Sequence, residues 1–150
     1  PYMTITAFAF HIAMFGVAFF IPAHVMLFET GWFNLSWWAM PEKVADGLTL
    51  GIIACLLFFL FRRIFTPEAR YVSRPRDYVL LGLTALPFVS GLLAYHQIFN
   101  YQFMLILHIV SGEILLMIIP FTWLSHMVIA PLIRAYMGSE FGSVRHVKDW

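Results

Sequence analysis

Four histidines, His11, His24, His108 and His126, lie inside long apolar stretches of this sequence. An imidazole is costly to place in hydrocarbon without a partner, so such positions are read first as functional. The segment HIVSGEILLMIIPFTWLSH, residues 108–126, carries two of them eighteen residues apart, with Glu113 between. Two imidazoles facing each other across a gap between helices can ligate one haem iron from both sides. That six-coordinate iron has no open position, which suits electron transfer rather than oxygen or substrate chemistry.

Positioning such rings requires a frame that spans a bilayer. The chain has 150 residues, 61% hydrophobic and 11% charged, and a mean hydropathy of +0.82. A soluble domain has about a quarter of its residues charged, so there is too little polar surface to cover a globule in water. Net charge is +1, and no basic run is interleaved with aromatics in the way nucleic-acid binding needs. The single cysteine, Cys55, excludes an internal disulfide, a cysteine-cluster metal site and the C-x-x-C-H signature of covalent haem. The chain opens Pro1-Tyr2 without an initiator Met, so processing or upstream sequence is expected.

Four stretches are long and apolar: about Met3 to Phe28, Gly47 to Phe61 (extending over Leu48 to Ile64 if Arg62 and Arg63 snorkel), Tyr78 to Tyr95, and about Tyr101 to Ile133. About 20 helical residues cross a hydrocarbon core of ~30 Å. Period-2 alternation is absent, so the expected fold is an all-α membrane protein, a four-transmembrane-helix bundle over residues 1–137 with a cytoplasmic C-terminal tail over residues 138–150.

Eight of the nine Lys and Arg residues fall between the second and third helices or after the fourth: Arg62, Arg63, Arg70, Arg74, Arg76, Arg134, Arg145 and Lys148. The positive-inside bias makes that side cytoplasmic, and its basic surface suits a docked subunit. The outward loop between the first two helices holds Lys43 and three tryptophans fit for an interfacial belt.

On this topology the histidines fall at two depths. Antiparallel packing of the first and fourth helices pairs His24 with His108 toward the outside and His11 with His126 toward the inside. Two haems would thus lie between those helices, stacked across the bilayer. Eighteen residues on one helix is five whole turns, placing His108 and His126 on one face about 27 Å apart. The thirteen residues from His11 to His24 instead leave the rings roughly 140° apart on a straight helix, and Pro22 or Gly16 must supply a kink. Zinc fits less well, since neither helix offers i, i+4 ligands and no cysteine or carboxylate joins either pair. A lone histidine in a membrane helix is often a hydrogen-bonded bundle residue, but four in two depth-matched pairs favour haem.

Of the remaining polar residues, His96 reads as interfacial and His146 as part of the solvated tail. Lys43 is either a donor to a quinone or a haem propionate, or an interfacial lysine beside Glu42 and Asp46. Glu113 either relays a quinol proton or bonds a neighbouring helix. Gly82, Gly91 and Gly112 are expected to let helices or a porphyrin approach closely.

The run PFTWLSHMVIAP, with a histidine eighteen residues before its own and Gly112 four after that first one, resembles the last haem-binding helix of the gamma subunit of respiratory nitrate reductases. The chain is similar over nearly its whole length to that diheme cytochrome b family. The opening FHIAMFGVAFFIPAHVMLF and the tail GSEFGSVRHVKDW suit the membrane cytochromes of sulfate reducers' transmembrane redox complexes better than true nitrate reductases.

The resemblance implies five helices, of which the first is absent here or upstream. It implies two non-covalent haems b, with His11 and His126 holding the inner one and His24 and His108 the outer. It also implies a quinol site beside the outer haem, near a lysine whose position Lys43 approaches, with menaquinone or another quinone as substrate. The implied role is an electron-transfer subunit in anaerobic respiration, not a stand-alone enzyme. Its partners would be membrane lipid, quinone and iron–sulfur or catalytic subunits, with a multihaem cytochrome c a further candidate and no nucleic acid. Two departures stand out: the first-helix histidines are three residues further apart than in nitrate reductases, and Trp123 occupies a place that is often basic. A haem-free membrane anchor is the alternative reading. A proton-relay transporter would show internal repeats and half-helices, which this sequence lacks.

Overall fold

The computed structural model of the chain describes residues 2–32 and 34–144. His146, Arg145 and Lys148 lie outside the described residues. Seven α-helices follow in order among those described: α1 (Tyr2–Phe20), α2 (Pro22–Leu27), α3 (Glu42–Phe65), α4 (Pro67–Val72), α5 (Pro75–Tyr95), α6 (Tyr101–Ile118) and α7 (His126–Met137). Four stretches are long and apolar enough to cross a membrane, namely Tyr2–Phe20, Glu42–Phe65, Pro75–Tyr95 and Tyr101–Phe121. These are the four spans expected from the sequence. Two compact units divide the chain, Pro1–Ser111 and Gly112–Trp150.

In the first unit α3 packs against both α1 and α5. The core is small: Phe10, Val17, Ile52 and Leu56 are buried, with Ala13, Met14, Leu48, Cys55, Phe59, Leu81, Ala85 and Phe88 packed around them. Cys55 is thus a packing residue. Much of the remaining apolar surface faces outward, Phe8, Ile12, Leu50, Phe103 and Ile106 among it. Lipid is the solvent that accepts such a surface.

Prolines set the helix boundaries. Thr66 and Arg74 are extended because each precedes a proline, and those prolines open α4 and α5 at the position where a missing N–H costs nothing. Asp77 accepts a hydrogen bond from the Arg74 N–H at 2.8 Å, closing the start of α5. The expected second helix begins earlier than hydropathy indicated, at Glu42, because Pro41 precedes it and Glu42 favours the N-terminal dipole. The segment between the second and third spans, read as a plain connection, contains α4.

The first expected helix is corrected more substantially. Instead of one helix to Phe28, the chain breaks at Ile21 (φ −67°, ψ 134°) and restarts at Pro22. The fourth is corrected too. After α6 come short 3-10 turns at Ile119–Phe121 and Trp123–Ser125, with Thr122 extended between them (φ −130°, ψ 177°). Pro120 removes one helical donor. The Thr122 hydroxyl donates to the Ile118 carbonyl at 2.8 Å, and the same oxygen accepts the Leu124 N–H at 3.3 Å. The five-turn register from His108 to His126 therefore does not hold, since no continuous α-helix joins them. In the second unit α7 runs on into a wider π-helical segment, Gly138–Val144.

A paired-histidine site in the first unit

The site begins with the break before Pro22. In an unbroken helix the carbonyls of Ala18, Phe19 and Phe20 would accept the N–H groups of residues 22, 23 and 24. Proline has no N–H, and the extended Ile21 carries the next two donors away. Each of the three carbonyls finds a replacement. Ala18 O accepts from His24 Nδ1 at 2.9 Å, Phe19 O from the Trp37 indole N–H at 2.8 Å, and Phe20 O from the Met40 N–H at 2.8 Å. Met40 is buried, and its Cε lies 3.8 Å from where a Cβ on Gly16 would sit. The segment after α2 therefore returns as a strap that satisfies the broken helix end, a requirement that is strict where no water can substitute.

The break re-aims His24. Its ring lies 5.9 Å from that of His108, centroid to centroid, with the planes within 10° of parallel. His108 is fixed from α5: its Nδ1 is 2.8 Å from the Pro87 carbonyl oxygen. A Cβ on Gly91 would stand 2.8 Å from His108 Nδ1 and 2.9 Å from its Cε1, so only glycine leaves room for the ring against α5. Of the three glycines expected to permit close approach, Gly91 does so, whereas a methyl added at Gly82 or Gly112 would meet nothing within 4 Å among the described residues.

A shared local arrangement links the four histidines, of which His11 and His108 lie within the candidate spans and His24 and His126 beyond them. Nδ1 lies 2.7 Å from Ala7 O in His11, 2.9 Å from Ala18 O in His24, 2.8 Å from Pro87 O in His108 and 2.7 Å from Trp123 O in His126. A carbonyl only accepts, so the proton belongs on Nδ1 and the lone pair on Nε2. This is the orientation a metal-ligating histidine takes, its other ring nitrogen held by a backbone carbonyl. His96 is built differently, with Nε2 2.8 Å from Asp46 Oδ1.

The 5.9 Å between ring centroids is close to the separation that two rings on one metal would have. Imidazole–metal bonds of ~2.0–2.1 Å, as to zinc, put two opposed ring centroids roughly 6 Å apart. Among the described residues no group of three or more His, Cys, Asp or Glu side chains converges as a metal site. Haem requires only two protein ligands, because the macrocycle supplies the rest.

The other sequence-predicted residues are placed as follows. His11 is half-buried on α1, edge-on to Phe10 at 5.2 Å. His126 opens α7 in the second unit, and its ring is held by the carbonyl of Trp123. Lys43 is exposed in the first turn of α3. Its acidic neighbours are engaged with α5 instead: Tyr95 donates to Glu42 at 3.0 Å, and His96 meets Asp46. Glu113 is exposed on α6.

Sequence reasoning missed Trp37, which it assigned to an interfacial belt, and the His96–Asp46 pair. The signal for the first was Pro22 itself, which guarantees orphaned carbonyls. For the second it was two acids four residues apart, on one face of a helix start. Trp37→Phe is expected to lower stability by about 1 kcal/mol, the usual worth of one such hydrogen bond. Trp38→Phe, at a ring 67% exposed, is expected to change little. Thermal unfolding of the two variants side by side measures the difference.

Over 145 residues the chain is 36% identical to a protein of Nitratidesulfovibrio vulgaris (strain Hildenborough), described without a functional name; the match covers 97% of this chain and 64% of that protein. The chain therefore spans somewhat under two thirds of the length of the curated relative it matches. No family model matches the chain, and no solved structure does.

Proposed function

We propose that the chain is a diheme cytochrome b subunit carrying electrons between a quinone pool and the redox subunits of a respiratory membrane complex. The observation that carries this reading is the His24–His108 pair: near-parallel rings 5.9 Å apart, each with Nδ1 on a backbone carbonyl. Composition and the four apolar helices support a multi-pass membrane protein, the setting in which two half-buried imidazoles need a strong reason to lie together. The sequence resemblance to the nitrate reductase gamma family supplies the second pair, His11 with His126, at the other depth.

Haem, when bound, supplies one-electron redox chemistry. The protein's share would be to hold the group through His24 and His108 and to keep the site apolar. The Ala18 and Pro87 carbonyls fix the tautomers of His24 and His108 and orient both rings. Quinone is proposed on the outward side, with Lys43 as hydrogen-bond donor. Lys43 suits that role because the acids beside it are already taken by Tyr95 and His96. We propose the cytoplasmic side of a prokaryotic inner membrane for the segment between α3 and α5 and for the C-terminal tail, in line with the positive-inside bias.

The test is addition of a menaquinol analogue to the purified oxidised protein under anaerobic conditions. The b-type α-band should appear, and its appearance should slow in Lys43→Ala. A protein that binds haem but shows no quinol-dependent change in absorbance would contradict the quinone assignment.

A further inference from the structure

At the end of the first unit away from the strap, the connection from α3 to α5 is built as a braced foot. Arg63 Nη1 donates to Ser73 Oγ at 3.0 Å and lies 3.8 Å from Asp77 Oδ2. Ser73 in turn donates to Ala69 O at 2.7 Å, and Tyr78 donates to Arg63 O at 3.2 Å. Ala69 is buried. These bonds tie α4 across the ends of α3 and α5, so its outward side chains are held in a fixed array.

What the array presents is mixed in a particular way. Arg62, Arg70 and Arg74 are exposed, and they make no ion pair among the described residues. Beside them Phe65, Tyr71 and Val72 are 74%, 92% and 72% exposed. The foot sits where the two spanning helices Glu42–Phe65 and Pro75–Tyr95 leave the apolar zone. Aromatic and aliphatic side chains alone would suit acyl chains, and guanidinium groups alone would suit water. Both together, at the end of two spans, match the boundary where phosphates overlie hydrocarbon.

We propose that residues 61–76 form a binding surface for anionic phospholipid, with Phe65, Tyr71 and Val72 inserted at the acyl boundary and Arg62, Arg70 and Arg74 on headgroup phosphates. Arginine is the side chain for this task, because its planar fork meets phosphate oxygens in pairs. Arg63 takes no part, being committed to Asp77 and Ser73. The proposal rests on the membrane setting and not on haem.

The full chain is placed in nanodiscs of phosphatidylcholine with and without phosphatidylglycerol, and its apparent unfolding midpoint is measured in each. The anionic lipid should raise the midpoint by roughly 5 °C. The triple variant Arg62→Gln, Arg70→Gln, Arg74→Gln, all at exposed positions, should unfold normally in phosphatidylcholine and lose the increment. The corresponding triple Lys variant should keep part of it. No increment in the wild type, or an equal increment in the Gln variant, overturns the proposal. So does a wild type indifferent to lipid charge whose Gln variant loses electron exchange with a soluble partner, which would assign the surface to protein docking.

Discussion

His108→Ala is expected to remove one haem per chain and leave the second in place. On the proposed reading His108 would be one of the two histidines that hold the haem; its Nδ1 is on the Pro87 carbonyl, and its ring centroid lies 5.9 Å from that of His24. Truncation leaves a single imidazole to hold the iron. Since axial ligation is the protein's main hold on a non-covalent haem, occupancy at that site should fall from near one to near zero. His24→Ala should remove the same haem. The double variant His24→Ala, His108→Ala should lose no more than either single one, because groups that act as one site are not additive. His126→Ala should empty the other site instead. Haem content by pyridine haemochrome distinguishes these outcomes. Loss of both haems from the double variant, with one from each single variant, would break the pairing.

Gly91→Ala should destabilise the protein, against the usual sense of that substitution. In a helix interior alanine is worth about 0.5–1 kcal/mol more than glycine. At Gly91 the added methyl would lie 2.8 Å from His108 Nδ1, well inside contact distance. The ring must swing away, which costs the Pro87 hydrogen bond, about 0.5–1.5 kcal/mol, and adds packing strain of about 1–3 kcal/mol. The sum outweighs the gain in propensity, so a net loss of about 1–3 kcal/mol is expected. Lowered occupancy of the haem held by His24 and His108 should accompany it. Gly82→Ala, on the same helix with nothing described near the new methyl, should be neutral or stabilising. Unfolding midpoints and haem content of the two variants test both signs. Equal behaviour at the two glycines would mean that Gly91 does not hold the ring in place.

The four spans were legible from composition because lipid exposure demands long uncharged runs, and α1, α3, α5 and α6 fall where those runs are. The His24–His108 pair was legible because alternating helix direction fixes depth whatever the packing details. The mismatch on the first helix pointed to a kink at Pro22 or Gly16, and the break falls at Ile21, just before Pro22. Its completion was hidden. Trp37 and Met40 reach the freed carbonyls from well over a dozen residues away, and no local pattern announces such a closure. The fourth helix misled for a related reason. Periodicity over residues 108–126 assumes an unbroken ladder, and Pro120 with the self-capping Thr122 ends it. Glu42 and Asp46 looked like partners for Lys43 because sequence shows neighbours only, while Tyr95 and His96 lie about fifty residues further along.

The central claim is that paired histidines hold two haems, and haem stoichiometry tests it most directly. The detergent-purified chain, reduced with dithionite, should show a b-type α-band and yield two haems b per polypeptide by pyridine haemochrome, none of it covalently attached. A preparation folded by circular dichroism, supplied with haem, and yet lacking a Soret band would contradict the account and leave the histidines as hydrogen-bonding residues of a membrane anchor.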